Sequence, residues 1–462
     1  MPSPTLQNAL NQANPSPYAT EKQRGISEEL VRRISAEKNE PQWMLEHRLQ
    51  SFALFQKMKR PTWGPDIRNL HFEDILFYAT PGVEQTDEWK EIPPDIRRVY
   101  DRLGIPEAER RMLAGVGAQY ESSVIYHRLK EEWTKKKVIF LDMDEAVKQY
   151  PELVKEYFMK CVPPSDHLFA ALHGAVWSGG TFLYVPRGVT VTEPLQAYFR
   201  MNARGMGQFE HTLIIVDEGA DVHYIEGCSA PKYGTSALHA GCVEIFVKPS
   251  ATMRYSSVEN WSRDTYNLNT KRAIVEREGT MQWVGGNLGS GVTMLYPCSM
   301  LTGEYARCDH LGLAFAGEGQ WQDTGAKVMH LAAHTTSSVV SKSVSSHGGR
   351  AVYRGLLSVA PGAHDCTASV NCDALLLDCF SATETIPDMR IRNNEVTIAH
   401  EAKVGRLSDD DLFYLMSRGL TEERARAMIV NGFIDPIVRE LPLEYAVEMN
   451  RLIELEMEGS VG

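Results

Sequence analysis

Cysteine is sparse in this chain of 462 residues, and no two of its eight cysteines form a C-x-x-C pair. They stand at Cys161, Cys228, Cys242, Cys298, Cys308, Cys366, Cys372 and Cys379. Neither a disulfide framework nor a self-contained zinc motif is therefore indicated. Long apolar runs are missing too, which argues against a membrane span. The opening MPSPTLQNALNQANPSPYATEKQ has neither the basic start nor the apolar core of a signal peptide. The expected location is cytoplasmic, or the plastid stroma if a transit peptide has been removed. Positive charge is also short, with 48 Lys and Arg against 60 Asp and Glu and a net charge of -12. A nucleic-acid backbone is accordingly not an expected partner.

Several familiar chemistries are absent as motifs. There is no G-x-x-x-x-G-K-[ST] phosphate loop, and GVGAQY and GGNLGSG do not complete a dinucleotide fingerprint. Neither G-x-S-x-G nor H-E-x-x-H occurs. HLAAH at 330–334 has the i,i+4 spacing of a helical metal pair, but its surroundings place it across a strand and a turn.

What is present falls into three textures, and the length fits two or three domains. After about twenty-five loose polar residues, helical spacing begins at EPQWMLEHRLQSFALFQKM, with Leu45, Leu49, Phe52 and Phe55 on one face and Pro61 as its stop. Further helix is expected at IPPDIRRVYDRLG, at IPEAERRMLAG, and from Pro151, where Leu153, Val154, Tyr157, Phe158 and Cys161 form a stripe. VPPS at 162–165 marks a boundary. Beyond it, short alternating strands meet at turns centred on Gly188, Gly219, Ser250, Gly279, Gly319 and Gly362, spaced by 31, 31, 29, 40 and 43 residues. Such a period is the mark of a stacked architecture. The predicted organisation is mainly β with α: an N-terminal helical domain over 1–165, a right-handed parallel β-helix over 166–403 and a C-terminal helical domain over 404–462, with a β-sandwich as runner-up. Within the last domain, Ser408 caps a helix stopped by Gly419, a second runs from Thr421 to Gly432, and a third from about Pro442 to Glu456. Their apolar surplus, including Leu412, Leu415, Met416, Met428 and Phe433, packs on the open end of the solenoid or serves as a docking face.

The candidate chemistry centres on SVNCDALLLDCFSATETIPDMRIRNNEVTIAHEAKVG, which holds Cys372, His400 and Glu401. Thiolate, imidazole and carboxylate are ligands for zinc and iron. The 28 residues from Cys372 to His400 equal about one coil of a solenoid, so the two can lie on neighbouring rungs. Side chains alternate along a strand, so only one of His400 and Glu401 can share a face with Cys372. On spacing alone, a buried packing cysteine and a solvated strand end are the favoured explanation of the pattern.

EPQWMLEHRLQSFALF, EEWTKKKVIF, VPRGVTVTEPLQAYFRMN, YIEGCSAP, NLNTKRA, SHGGRAVYRGLLSV and DDDLFYLMSRGL together resemble the SufB family, the β-helix scaffold subunits of Suf iron–sulfur cluster assembly complexes. The resemblance runs from residue 40 to 420 and implies a scaffold rather than an enzyme. It implies a transient iron–sulfur cluster built around Cys372, Glu401 and His400 at the interface with the paralogue SufD or a second SufB. Sulfur is implied to arrive at Cys228 and to travel past Arg200, Asn202, Trp261 and Lys271. A cation beside Cys228 would favour its thiolate. The implied partners are the SufC ATPase, a cysteine desulfurase with its sulfur-transfer partner, and apo iron–sulfur proteins, with a reduced flavin in the complex. Two positions depart from the family pattern: Glu259 stands where Gln is expected, and Ala399 where some relatives carry Glu. The competing classes are a β-solenoid carbohydrate-active enzyme, for which no Asp-rich repeat is present, and a SufD-like structural subunit, which would not need both thiols.

Overall fold

Strict alternation in segments such as DVHYIEGCS, where Val222 and Tyr224 turn inward, produces strands that stack in register as parallel rungs. In the computed structural model, described for residues 23–80, 86–92, 113–201, 204–230, 232 and 234–441, these rungs build a β-solenoid of about eight turns. Ten strands form one sheet and fourteen form a second that wraps round the other sides. The two halves of the second sheet meet at Arg350–Val359, which pairs with both Trp321–Thr324 and Lys327–His330. The main core lies inside this coil and includes both Cys228 and Cys372.

One corner of the coil is a ladder of left-handed residues: Gly188, Gly219, Ser250, Glu278, Tyr305, His334 and Asp365 all have positive φ. Each amide from Gly188 to Asp365 donates to a carbonyl of the next turn, as in Ser250 N to Arg277 O at 2.8 Å and Glu278 N to Glu304 O at 2.9 Å. The true corner spacing is therefore 31, 31, 28, 27, 29 and 31 residues. The expectation built on glycine placed Gly319 and Gly362 on this corner. Gly319 instead turns elsewhere in the coil and Gly362 is not left-handed, while Tyr305 and His334 carry the corner without glycine.

The domain limits differ from those expected at 165 and 403. Gly115–Tyr120 pairs in parallel with Leu195–Arg200, and Ile139–Asp142 pairs antiparallel with Thr181–Val185, so the sheets reach back into the N-terminal region. Conversely, helix Leu168–Val176, buried along its whole length, lies inside the segment expected to be all strand, and the last strand, Val396–Arg406, runs past 403. The first long helix, Gln42–Phe55, buries Met44, Arg48, Ser51 and Phe52, a face rotated from the apolar stripe. Arg48 explains the rotation: its guanidinium donates to Glu40 at 2.6 and 2.7 Å and lies 4.7 Å from the Trp177 ring, so a buried ion pair takes the place of a leucine. The helix from Pro151 ends at Tyr157, leaving Phe158 and Cys161 beyond it. The helices expected over 92–115 and 442–456 fall wholly or largely outside the described residues.

At the C-terminus, Ser408 Oγ accepts the Asp411 amide at 3.3 Å and caps helix Asp409–Ser417 as expected. Helix Glu422–Val438 continues through Gly432, with Pro436 inside it. Val430, Ile434 and Ile437 pack against Val258, Leu313 and Phe315, on the outer face of the ten-stranded sheet. The solenoid's end, one of the two destinations expected for these helices, keeps Val396–Arg406 as an edge strand paired on one side only.

Candidate functional site

Cys228 lies on strand Asp221–Ser229, in register between Phe199 and Glu259. Alternation puts Tyr224, Glu226 and Cys228 on the inner face, with Tyr255, Ser257 and Glu259 above them. Lys271 reaches across from the second sheet: its Nζ donates to Glu259 at 2.6 Å and to Glu226 at 3.3 Å, 5.0 Å from the Tyr255 ring centre. Asn267 Nδ2 donates to the other Glu259 oxygen at 2.6 Å, and its Oδ1 lies 2.7 Å from His239 Nδ1. His239 also pairs with Glu210 and carries the Trp261 ring, centroids 4.4 Å apart. The result is a chamber of charged groups, all buried, inside an otherwise aliphatic coil.

Mutual compensation sets the charges here. Burial opposes the Lys271 charge, yet the Glu259 and Glu226 carboxylates overcome it and hold its pKa up. Burial likewise opposes the Glu259 anion, but Lys271 and His239 outweigh it and hold its pKa below the ordinary carboxylate value. Glu226 has the weaker share of Lys271, and burial keeps its pKa raised. The Cys228 thiol, 3.9 Å from Glu226 Oε1, is pushed well up by burial and then by Glu226, Glu259 and Glu210, with Lys271 a smaller opposing influence. The expectation that a nearby cation makes Cys228 a thiolate is thereby corrected: the resting group is a thiol with a carboxyl beside it.

Arg200 is fully buried, and its Nη1 donates to Ser229 Oγ at 2.9 Å. Because Phe199 is the residue paired with Cys228, alternation sends Arg200 to the opposite face of the sheet. The structure thus brings Cys228, Lys271 and Trp261 to one chamber and leaves Arg200 behind its wall. Asn202 lies outside the described residues.

Cys372 faces the same interior from strand Cys366–Leu376. Its Sγ is 3.9 Å from His400 Nε2, which stands on the edge strand opposite Val370, two register pairs away. Burial pushes its pKa up to about 12, against the Tyr353 hydroxyl, which favours the anion, and with Asp373, which disfavours it. Glu401 pairs in register with Asn371, so it points outward, and its carboxylate meets Lys403 at 3.0 Å in solvent. Of the two candidates, His400 shares the face of Cys372 and Glu401 does not. Of the control cysteines, Cys366 is buried with its Sγ 3.1 Å from Thr335 Oγ1, and Cys379 is exposed.

A row of inner-face positions links the two thiol sites: Glu226, Ser257, Gly285, Gly312, Ser341 and Cys372 are successive register partners. At a strand spacing of ~4.8 Å, the five steps span roughly 24 Å. Between the ends no side chain in the row is larger than serine. The space left over forms a cavity of about 30 Å³ bordered by Lys271, Ser257, Gly285, His310, Gly312 and Ser341, room for about one water. A second cavity of about 20 Å³ lies beside Tyr353, Val370 and His400. The sequence alone pointed to Cys228, Trp261 and Lys271 through resemblance. Glu226, Glu210, His239 and Asn267 were missed, although the i−2 position of Glu226 on a strand was a usable signal for a shared face.

Comparison with known proteins accords with this geometry. Residues 199–433 match the family described as SUF system FeS cluster assembly, SufBD core domain, and residues 32–197 match the SufBD protein N-terminal region. Similar proteins include iron–sulfur cluster assembly SufBD family proteins of Staphylococcus aureus strains MRSA252 and USA300, each 53% identical over 440 residues and 95% of both chains. A Staphylococcus haemolyticus protein of the same description is 52% identical over the same extent. Matched through both regions and along nearly its whole length, the chain belongs to the SufBD family of iron–sulfur cluster assembly proteins.

Proposed function

We propose that this chain is a SufB-type scaffold, which accepts sulfur at Cys228, passes it through the solenoid and builds a nascent cluster at Cys372. The observation that carries the reading is the pair of interior thiols at the two ends of a row of Ser and Gly, with a cavity for about one water beside the middle of the row. A purely structural solenoid would fill that row with aliphatics.

The Cys228 thiol must lose its proton before it can attack the outer sulfur of a donor persulfide. Glu226, the adjacent carboxyl, takes that proton, with Lys271 balancing the charge that remains. The donor S–S bond breaks, its own thiolate leaves, and Cys228 carries the extra sulfur. Release of that sulfur as sulfide consumes two electrons, the place for the reduced flavin expected in the complex. At the other end, Cys372 and His400 supply a thiolate and an imidazole for iron. Glu401 and the unpaired edge of Val396–Arg406 face outward, as they would to meet SufD or a second copy of the chain. Exposed Phe413, Tyr414, Met416 and Met428 on the C-terminal helices are the proposed seat for SufC. Apo iron–sulfur proteins would be the recipients.

The test is cluster formation by two routes, from the cysteine desulfurase and from free sulfide with iron, followed by absorption and iron and sulfide counts. Cys228→Ser should block the first route alone, and Cys372→Ser both. Cys366→Ser and Cys379→Ser should each retain clusters; equal loss in all four variants would remove the assignment. For docking, Phe413→Asp with Tyr414→Asp should abolish SufC capture. These point variants are better than deleting the C-terminal helices, because deletion would bare Val258, Leu313 and Phe315.

A further inference from the structure

Outside the two thiol sites, the described residues contain two groups of His, Cys and carboxylate side chains near enough to share a cation. His334, His364 and Asp365 sit partly exposed on the corner ladder, where Asp365 already pairs with His364 at 2.8 Å. The other group, His173, His211 and Cys242, is buried, and its three ligand atoms lie within 4.8 Å of one another.

Topology assembles this second group from three elements. His211 opens strand His211–Val216 and Cys242 opens Cys242–Val247, and the two are direct parallel partners. Val243, Ile245 and Val247 face the interior, so Cys242 and His211 point outward. Helix Leu168–Val176 lies over them and contributes His173. His173 Nε2 and His211 Nδ1 face each other at 3.0 Å. Of their other nitrogens, His173 Nδ1 lies 3.0 Å from the Ala240 carbonyl, and His211 Nε2 lies 3.2 Å from Glu244 Oε2 without forming a hydrogen bond. Glu244 is itself held by the amides of Met159, Cys161 and Val162 at 2.6 to 2.8 Å.

Metal-binding histidines characteristically hand their second N–H to a backbone carbonyl or a carboxylate; His173 does so with Ala240, and the Glu244 carboxylate stands beside His211 Nε2. Two imidazole nitrogens at ~2.0–2.1 Å from a tetrahedral ion are ~3.3 Å apart, so the facing rings need to separate by only tenths of an ångström. A Cys242 thiolate and the Glu244 carboxylate together balance a dication, which removes the usual cost of burying one. Nothing in the sulfur and cluster chemistry uses these residues.

We propose that His173, His211 and Cys242 bind a thiophilic divalent cation of the zinc class, with a water in the fourth position, clamping helix Leu168–Val176 to the outer face of the solenoid. Thiolate with imidazole in a near-tetrahedral set selects zinc over the harder magnesium and calcium.

The experiment uses the full chain carrying Cys228→Ser and Cys372→Ser, so that the cluster thiols cannot contribute. The protein is stripped with a chelator, then loaded with zinc or with cobalt(II) and desalted. One zinc per chain is expected, together with a thiolate-to-cobalt charge-transfer band and intense tetrahedral d–d bands, and zinc should raise the thermal midpoint. Adding Cys242→Ala should remove the charge-transfer band, and adding His211→Gln should release the metal. A cobalt spectrum without a thiolate band overturns the proposal even if both added variants fail to fold. Zinc retained with an unchanged cobalt spectrum in Cys242→Ala overturns it equally.

Discussion

Cys228 and Cys372 open onto the same interior from the same sheet, but one is sealed among charges and the other waits at an unfinished edge. The groups of the Cys228 chamber are all buried and balance Lys271 and His239 against Glu210, Glu226 and Glu259. Around Cys372 the charges are fewer: Tyr353, Asp373 and His400 stand near it, beside a strand with one free edge. A buried charge network organises proton movement at a fixed point, whereas an open edge leaves ligand positions for a partner to complete. Acceptance of a reactive sulfur suits the first environment, and assembly and release of a cluster suit the second.

The largest effect expected from this contrast is on stability. Lys271→Ala leaves Glu259 and Glu226 buried without their cation and should cost about 3–5 kcal/mol, read from denaturant midpoints. Lys403→Ala breaks the exposed pair with Glu401 and should leave the midpoint unchanged. Equal losses would mean that the chamber is wetter than its burial indicates.

Next in size is blockage of the interior row. A Cβ at Gly285 would meet only Ser257 Oγ at 3.7 Å, so Gly285→Ala should fold and work normally. Gly285→Leu would fill the cavity, and cluster build-up from the desulfurase should fall at least tenfold while reconstitution from free sulfide persists. Unimpaired desulfurase-driven assembly in that variant would show that sulfur reaches Cys372 by another road.

A smaller, pH-dependent effect separates Glu259 from Glu226. The Glu259 pKa is lowered on folding, so its contribution is present above the ordinary carboxylate pKa and disappears as pH falls through the lowered value. Glu259→Gln should remove that acid limb from a plot of urea midpoint against pH. The loss near neutrality should be modest, because Glu226, 3.3 Å from Lys271, can take the charge instead. An unchanged acid limb would show that Glu259 is not the ionised partner.

The smallest effect is in labelling. Native protein treated with a thiol alkylator should react first at exposed Cys379, more slowly at Cys372 and last at Cys228, as followed by peptide mass spectrometry. Early modification of Cys228 would contradict a closed chamber.

How much could be read from the chain beforehand follows the range of the interactions. Strand alternation is a local property, so the solenoid, the rule that only one of His400 and Glu401 shares a face with Cys372, and the capped helix after Ser408 were legible. Rung boundaries were legible at Gly188, Gly219 and Ser250 and, one residue late, at Gly279. Glu278, Tyr305, His334 and Asp365 adopt the same left-handed corner because the adjoining turns hydrogen-bond to it, and no local signal announces that. The protonation of Cys228 was misread because the carboxylates that decide it come from three different rungs. Strands 115–120 and 139–142 were hidden for a similar reason: each is short, and only pairing to Leu195–Arg200 and Thr181–Val185 makes it part of a sheet.

The central claim is that sulfur enters at Cys228 and leaves at Cys372, and persulfide trapping tests it most directly. The chain is mixed with its cysteine desulfurase and cysteine, alkylated at intervals, and the peptides carrying each thiol are weighed for an added sulfur. The account requires the added mass on Cys228 in wild type and in Cys372→Ser, cleared when a reduced flavin is supplied, and on neither site in Cys228→Ser. Added sulfur on Cys372 of the Cys228→Ser protein, arriving as fast as wild-type Cys228 is loaded, would contradict it.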